Sequence, residues 1–315
     1  MTTLVTGANG FVGSALCARL LRDGTAVRGA VRSLSSLPDG VEAIAVGGLS
    51  SETDWTEALR SVRQVVHLAA RVHVMNEKST DPLAEFRQVN VEGTANLARQ
   101  AAAAGVRRFV YLSSIKVNGE FTQEGHPFTA DDAPKPEDPY GVSKHEAEQA
   151  LRQIAADTGM KVVIIRPPLV YGPGVKANFE SMMRWLARGV PLPLAAVTQN
   201  RRSLVALDNL VDLIITCLSH PAAANQTFLV SDGEDLSTAD LLKRMGAALG
   251  CPARLFHLPP GLLKLGAALV RKPGIYQRLC GSLQLDIAKT RQLLGWSPLV
   301  SVDEGLRRAA EGFRP

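Results

Sequence analysis

The first half of the chain repeats one pattern of hydrophobic and polar positions. Short β-branched runs alternate with Ala-, Leu- and Arg-rich stretches, as in "TLVTG", "SALCARLLRDG", "AVRGAV", "QVVHLAA", "GTANLARQAAAAG", "RRFVYLSS" and "KVVIIRP". Short, uninterrupted apolar runs are typical of strands buried on both faces, and the stretches between them resemble helices. The alternation predicts an α/β fold with a Rossmann-type doubly wound parallel sheet, which binds ligands at the carboxyl ends of its strands.

The alternation weakens after "RPPLVYGPG", where short helices and strands mix. We therefore predict an NAD(P)-binding Rossmann domain at residues 1–173 and a smaller α/β substrate-binding domain at 174–315, partly intercalated with the first. The stretch 121–139, "FTQEGHPFTADDAPKPEDP", is rich in Pro, Asp and Gly and follows no helical or strand period. It predicts a long ordered loop, a feature that often carries function in compact domains.

Composition narrows the choice of partners. The chain has 315 residues, 46% of them hydrophobic and 21% charged, as in an ordinary globular protein. The net charge of +5 comes from basic residues scattered singly or in pairs, so we expect no nucleic-acid partner. The apolar segment "GLLKLGAALV" is too short to cross a bilayer, so we expect no membrane span. Four cysteines without metal-ligand spacing favour reduced thiols, no metal and a cytoplasmic location.

A glycine-rich loop follows the first strand. In "LVTGANGFVGSALCARLL", Gly7, Gly10 and Gly13 stand between a strand pattern and a helix pattern. Glycine lets the backbone approach a pyrophosphate, and the helix start offers free N–H groups. The loop predicts a dinucleotide site that includes Phe11 and Val12, although three glycines could also form a tight turn without a ligand.

The end of the second strand bears on the choice of cofactor. NAD-binding units of this kind place an acidic residue about 20 residues after the glycines, where it binds the ribose 2′-hydroxyl. Here Val31 lies 18 residues past Gly13 and is followed by Arg32 and Ser33. A guanidinium can pair with a 2′-phosphate, so the sequence favours NADP, with NAD possible. Arg32 could instead be a solvated loop residue. "VGGLSS" predicts that Gly48 and Leu49 end the third strand near the adenine.

A tyrosine and a lysine begin the helix pattern "PYGVSKHEAEQAL". Tyr140 and Lys144 are four residues apart and therefore share one helix face. A tyrosine exchanges protons poorly near neutral pH, and an adjacent ammonium group lowers its pKa by stabilising the phenolate. Alone, such a pair is usually a surface pair. Together with the glycine loop and the serines in "SSIKVNG", it predicts acid/base chemistry.

These motifs together resemble the extended short-chain dehydrogenase/reductase family, also described as the NAD-dependent epimerase/dehydratase family, in its nucleotide-sugar branch. The resemblance covers nearly the whole chain through "TGANGFVG", "HLAA", "VNVEGT", "PYGVSK", "RPPLVYGPG" and "LGWSP". It implies that Tyr140 is the acid/base, that Lys144 holds the nicotinamide ribose and lowers the pKa of Tyr140, and that Ser114 hydrogen-bonds the reacting oxygen. It further implies cofactor contacts from Leu68, Ala69, Ala70, Asn90, Pro167 and Val170.

The resemblance also suggests a substrate site and an assembly. It implies a UDP-sugar substrate and a homodimer formed through helices like those at 80–104 and 140–157. Its expected substrate residues are Ser113, Ser114, Asn178, Arg201 and Arg278.

The residues after the serines narrow the reaction. Dehydratases of this family carry Asp and Glu where this chain has Ile115 and Lys116, so elimination of water has no evident acid and base. Two reactions remain, namely reduction of a 4-keto sugar and 4-epimerisation with retained NAD. Arg32 and the overall similarity favour an NADP-dependent reductase of a UDP-4-keto-6-deoxy-N-acetylhexosamine for surface polysaccharide synthesis. The alternatives are a UDP-sugar 4-epimerase and a non-catalytic nucleotide-binding regulator. The roles of Lys116 and Asn118 stay open.

Overall fold

A parallel β-sheet lies at the centre of the computed structural model, which describes residues 2–33, 37–72, 81–269 and 273–314. In this part of the chain, seven strands form the sheet in the order β3-β2-β1-β4-β5-β6-β9. All neighbouring pairs are parallel. The strands are β1 Thr2–Thr6, β2 Ala26–Val31, β3 Glu42–Ala45, β4 Val62–His67, β5 Arg108–Leu112, β6 Lys161–Arg166 and β9 Thr227–Leu229.

Helices cover both faces of this sheet. On one face, Leu16 and Leu210 share a buried apolar cluster, and on the other face Leu97 and Leu151 share a second one. The predicted Rossmann-type doubly wound fold is therefore confirmed. The helices are α1 Phe11–Arg22, α2 Thr56–Leu59, α3 Pro82–Arg87, α4 Thr94–Ala103, α5 Pro139–Thr158, α6 Ala177–Ala187, α7 Leu207–Ser219, α8 Thr238–Ala248, α9 Pro260–Leu269, α10 Pro273–Cys280, α11 Ala288–Leu294 and α12 Val302–Glu311.

The later part of the chain contributes to two layers. Helix α7 and strand β9 complete the large sheet and its cover, although both follow residue 173. A second sheet combines β7 Leu169–Tyr171, β8 Arg202–Ala206 and β10 Asp235–Leu236 in the order β10-β8-β7. Because the chain crosses between the layers more than once, the boundary at residue 173 stays a prediction.

The segment between β5 and α5 is mostly irregular, as "FTQEGHPFTADDAPKPEDP" indicates. Backbone hydrogen bonds hold it, from Lys135 N to Val117 O at 2.9 Å and from Phe128 N to Gln284 O at 2.8 Å. It thus joins the large sheet to the C-terminal segment. Within the described ranges, every helix is too short or too polar to traverse a lipid bilayer.

Candidate active site

The loops that the sequence marks as cofactor-binding leave the same edge of the sheet. Gly7 follows β1, Arg32 follows β2, Leu68 follows β4 and Pro167 follows β6. Because the strands are parallel, their carboxyl ends meet at one edge. Gly48 and Leu49 come shortly after the end of β3. The fold therefore gathers the glycine loop, the β2 end, "HLAA" and "RPPLV" around one crevice.

The glycine loop fits a diphosphate. Gly7 has φ +66°, and a Cβ atom there would lie 3.0 Å from Ala69 N. A Cβ on Gly13 would lie 2.0 Å from Gly7 O, so only glycine lets α1 pack this close to the loop. The first turn of α1, which includes Phe11 and Val12, carries no acidic residue. Free N–H groups and the positive end of the helix dipole therefore face this edge without a competing carboxylate.

The end of β2 offers no carboxylate to a ribose. Val31 is 3% exposed, and the next two residues, Arg32 and Ser33, are exposed. Residues 34–36 lie outside the described residues. An exposed guanidinium at this strand end can meet a 2′-phosphate, so the choice between NAD and NADP stays a prediction.

A buried histidine shapes the loop after β4. His67 Nδ1 lies 2.7 Å from Thr6 Oγ1, and His67 Nε2 lies 2.9 Å from Thr94 Oγ1. Thr6 Oγ1 also accepts hydrogen bonds from the backbone N–H groups of Leu68 and Ala69, each at 3.2 Å. Burial, with a smaller effect of Lys144, lowers the pKa of His67 to about 3, so the ring is neutral near pH 7. No local sequence pattern predicts this cluster, although the histidine stands in the quoted "HLAA".

Asn90 ties the loop after β4 to the helix that bears the tyrosine. It is 1% exposed and lies in a π-helix, Gln88–Gly93. Its Nδ2 donates to Arg71 O and to Ser143 Oγ, both at 3.0 Å, and its Oδ1 accepts from Arg71 N at 2.8 Å. The amide is thus engaged by protein groups, as expected of a support for the site. A contact between Asn90 and the cofactor stays a prediction.

The first turn of α5 orients Tyr140. Asp138 caps the helix, because its Oδ1 accepts from Gly141 N at 2.6 Å, and Pro139 takes the first helical position. Phe86 of α3 packs against the Tyr140 ring edge-on, with ring centroids 6.0 Å apart. The dipeptide "DP" before the tyrosine is itself a helix-start signal.

Lys144 lies one turn further along α5 and is 2% exposed. Its Nζ donates to Leu112 O at 2.9 Å and lies 4.6 Å from the centre of the Tyr111 ring. Among the described residues, Leu112 O is its one hydrogen-bond acceptor. Since an ammonium group has three N–H donors, two are left for a ligand such as a ribose.

Burial governs the proton affinities of this pair. It lowers the pKa of Lys144 to about 7, with Glu148 acting in the opposite direction. Burial also raises the pKa of Tyr140, Asp138 adds to that effect, and the Ser114 side chain opposes it. The expectation that Lys144 lowers the pKa of Tyr140 stays a prediction. Loss of hydration disfavours the charged form of each group, and the Lys144 Nζ lies 5.9 Å from the Tyr140 ring centre.

The two adjacent serines have different surroundings. Ser114 leaves β5 at the edge of the crevice, and its Oγ accepts from Lys116 N at 3.3 Å. Ser113 is 3% exposed, and its Oγ donates to Glu148 Oε1 at 2.6 Å. The Ser113 hydroxyl is therefore engaged inside the protein, and its contact with the substrate stays a prediction. Ser114 remains the candidate for the reacting oxygen.

Lys116 bridges the serine turn and the tyrosine helix. Its Nζ donates to Glu120 Oε1 at 2.8 Å and to Asp138 Oδ2. Burial lowers the pKa of Lys116, but Asp138 and Glu120 outweigh that effect, so the pKa is raised. The same Asp138 caps α5 through its other oxygen, so Lys116 couples the position of Ser114 to that of Tyr140.

A buried ion pair lies behind the site. Glu148 is fully buried. Its carboxylate accepts hydrogen bonds from Arg166 Nε at 2.9 Å and from Arg166 Nη2 at 2.5 Å. Arg166 Nη1 donates to Asn118 Oδ1 at 2.9 Å, and Asn118 Nδ2 donates to Thr129 O at 2.8 Å. Asn118 is therefore buried, and both atoms of its amide are hydrogen-bonded within the protein.

The expected substrate residues of the later segment form no hydrogen bond or ion pair with this cluster in the described part of the chain. Arg201 Nη1 donates to Thr198 O at 2.8 Å and to Asn200 O at 3.0 Å. Asn178 is exposed near the start of α6, and Arg278 is exposed on α10. Arg201 N donates to Ser282 Oγ at 3.0 Å, which brings the Arg201 loop close to the end of α10. Their roles stay predictions.

Two surface cavities lie outside the candidate site. One of about 360 Å³ is lined by Asp235 and Arg291 among others, and one of about 310 Å³ is lined by Asp131 and Lys289 among others. Neither has Ser114, Tyr140 or Lys144 in its lining. The strand ends and hydrogen bonds locate the site better than cavity volume does, because a crevice that accepts a long nucleotide is an open groove.

Comparison with known proteins identifies the family. The profile of the NAD dependent epimerase/dehydratase family matches residues 3–231. The chain belongs to this family.

Individual relatives cover almost the whole chain. A UDP-glucose 4-epimerase of Vibrio cholerae is 49% identical over 98% of this chain and 94% of its own length. A UDP-glucose 4-epimerase of Mycolicibacterium smegmatis is 32% identical over 100% of this chain and 99% of its own length. The solved structure of MoeE5 in complex with UDP-glucuronic acid and NAD is 27% identical, covers 99% of this chain and 98% of its own chain, and superposes with a TM-score of 0.78.

Proposed function

We propose that the chain is a UDP-sugar 4-epimerase that uses NAD held in the crevice at the sheet edge. The single observation that carries the proposal is the arrangement of Ser114, Tyr140 and Lys144 with apolar Ile115 and ion-paired Lys116 where an eliminating enzyme needs two carboxylates. Such a site can move one proton and one hydride at a single carbon. The names of two similar relatives, both UDP-glucose 4-epimerases, support the choice of epimerisation.

The side chains divide the proton chemistry between them. Ser114 Oγ donates a hydrogen bond to the sugar oxygen at C4, while Tyr140 Oη takes the proton from that oxygen and later returns it. When Lys144 is protonated, its ammonium group stabilises the transient phenolate of Tyr140, because a nearby opposite charge favours the charged form. The glycine loop, "HLAA" and Lys144 would hold NAD, which would supply a hydride acceptor and donor at this place. Burial raises the pKa of Tyr140, so its hydroxyl must lose a proton before it can act as the base.

The sequence and the relatives favour different reactions. The sequence favoured a reductase because Arg32 replaces the acidic residue that binds the ribose. The relatives named above favour the epimerase, which was the alternative. Reduction of a 4-keto UDP-sugar with NADPH stays the second candidate, because the exposed Arg32 is suited to a 2′-phosphate.

One experiment separates the two. The purified protein is incubated with UDP-glucose without added cofactor, and the products are resolved by anion-exchange chromatography. We expect UDP-galactose to form with no net oxidation, and NAD to be released when the protein is denatured. If UDP-glucose is returned unchanged, while a 4-keto-6-deoxy-UDP-N-acetylhexosamine consumes NADPH in equal amount, the epimerase is excluded and the reductase is supported.

Arg32 gives a matched test of the cofactor. We expect Arg32→Asp to leave the binding of NAD intact or improved and to weaken the binding of NADP, because a carboxylate binds the ribose 2′-hydroxyl and repels a 2′-phosphate. Fluorescence titration with both cofactors measures this. Equal effects on NAD and NADP would place Arg32 outside the ribose site.

A further inference from the structure

Large apolar side chains are exposed on the C-terminal layer. Val190 N donates to Trp185 O at 3.0 Å, and the strand-like stretch after Val190 pairs with the stretch that leads into α9, as shown by Phe256 N donating to Leu192 O at 3.0 Å. These segments carry five of the large hydrophobic side chains that the described structure leaves exposed. Their exposed fractions are 48% for Trp185, 38% for Val190, 48% for Phe256, 52% for Leu262 and 57% for Leu265, and we name them the apolar patch.

Helix α9 is more apolar than its packing requires. Its sequence is "PGLLKLGAAL", and it packs mainly on α10, its neighbour in the chain. Leu263 contacts the buried cluster of the C-terminal layer, whereas Leu262 and Leu265 point away from it. Exposed apolar surface on a folded protein commonly marks a contact with a partner or a membrane.

The charge around the apolar patch is one-sided. Between Asp240 and Asp286, the described residues include no Asp or Glu and five Lys or Arg, of which Arg244 pairs with Glu234 and Asp303. Arg188, Arg254, Lys264 and Arg278 are all exposed, and none forms a salt bridge with another residue that the structure describes. A Cβ on Gly189 would lie 3.6 Å from Arg254 Cζ, so this guanidinium lies over the turn next to Val190.

We propose that the apolar patch and its basic surroundings bind the protein to an anionic phospholipid surface. Apolar side chains of a surface helix can enter the boundary between headgroups and acyl chains, and Lys and Arg beside them pair with phosphate groups. A second copy of this chain is the poorer occupant, because a twofold contact through the patch would bring Arg254 and Lys264 close to their own copies. The helix lies on the bilayer and does not cross it.

Vesicle co-sedimentation tests the proposal. The full chain is mixed with vesicles of phosphatidylcholine alone or of phosphatidylcholine and phosphatidylglycerol in equal parts. We expect at least a tenfold larger bound fraction on the anionic vesicles, and loss of most of it in about 0.5 M NaCl, where charges are screened within a few ångströms. The double variant Leu262→Glu with Leu265→Glu should lose binding at low salt.

Matched variants keep the outcome interpretable. Leu293→Glu with Leu299→Glu changes two leucines that are 40% and 58% exposed elsewhere, and it should bind vesicles like the unchanged chain. The double variant Arg254→Glu with Lys264→Glu leaves the apolar patch unchanged, and it should lose binding to the anionic vesicles. Equal sedimentation with both vesicle types, no sedimentation, or equal loss in the Leu293 and Leu299 variant would overturn the proposal. So would an oligomer that becomes a monomer in the Leu262 and Leu265 variant, because the patch would then be a protein interface.

Discussion

Helix α5 carries ionisable side chains on successive turns of one face. The first region, with Tyr140 and Lys144, and the second region, with Glu148, differ in the hydrogen-bond partners that the protein gives them. Tyr140 and Lys144 face the crevice, and Lys144 has one hydrogen-bond acceptor among the described residues. Glu148, one turn on, accepts from Ser113, Arg166 and Arg152. Lys144 and Glu148 are both buried, so burial alone does not distinguish the two regions.

The difference lies in which polar groups the protein leaves for a ligand. A buried charge is tolerated when protein groups of opposite charge and hydrogen bonds surround it, as around Glu148. Where such partners are missing, burial shifts pKa values against the charged form, as it does for Tyr140 and Lys144. The first region is therefore suited to chemistry, and the second to holding β5, β6 and α5 together.

The largest effect is expected at the tyrosine. Tyr140→Phe removes only the hydroxyl, so turnover should fall by about 10²–10⁴-fold, which is the usual contribution of a positioned acid/base. The free energy of unfolding should change by less than ~1 kcal/mol. Product analysis and urea unfolding measure the two quantities. Full turnover in Tyr140→Phe would remove this residue from the chemistry.

A stability loss should instead follow substitution in the second region. Glu148→Gln leaves the buried guanidinium of Arg166 without a carboxylate, and we expect the free energy of unfolding to fall by about 3–5 kcal/mol. Glu146→Gln is the matched control, because it breaks the more exposed pair with Arg87 and should cost less than ~1 kcal/mol. If both variants lose similar amounts of unfolding free energy, the buried pair of Glu148 and Arg166 stabilises the fold no more than the exposed pair does.

Lys144 should contribute to the pH dependence of the free energy of unfolding. Its pKa is lowered from 10.5 to about 7 in the folded chain, so between those values the unfolded chain binds a proton that the folded chain does not. Stability from this group therefore rises with pH across that window, by at most about 1.4 kcal/mol per pH unit. The unfolding free energy of the wild type minus that of Lys144→Met should increase from about pH 7.5 to 9.5. A constant or falling difference contradicts the shift.

The smallest effect is expected at the link between the serine turn and α5. Lys116→Met should lower kcat/KM by about tenfold, because Ser114 and Tyr140 lose their common anchor at Asp138. With Asp138 no longer neutralised, the pKa of Tyr140 should rise further. Because Tyr140 must lose its proton before it acts as the base, the acid limb of the kcat/KM profile should move to higher pH. Lys116→Arg should restore part of the activity. An unchanged profile in Lys116→Met would limit Lys116 to a surface role.

The sequence predicted the elements well because each follows from local patterns. Apolar runs, the glycine loop and the four-residue spacing of Tyr140 and Lys144 are all contained in short segments, and the fold confirmed the doubly wound sheet. The pairing of Lys116 with Asp138 could not be predicted in this way. The two residues are separated by an irregular loop whose path depends on contacts with the C-terminal segment.

The amino-acid sequence by itself determined the fold class, the family and the set of side chains that can perform the chemistry. Only the tertiary structure decided which of the two serines faces the crevice, how Asn118 is used and in which direction the pKa values of Tyr140 and Lys144 move. The physical reason is that hydrophobic periodicity and turn residues act locally. Desolvation and hydrogen bonding at a site depend instead on groups that the order of the strands brings together from distant parts of the chain.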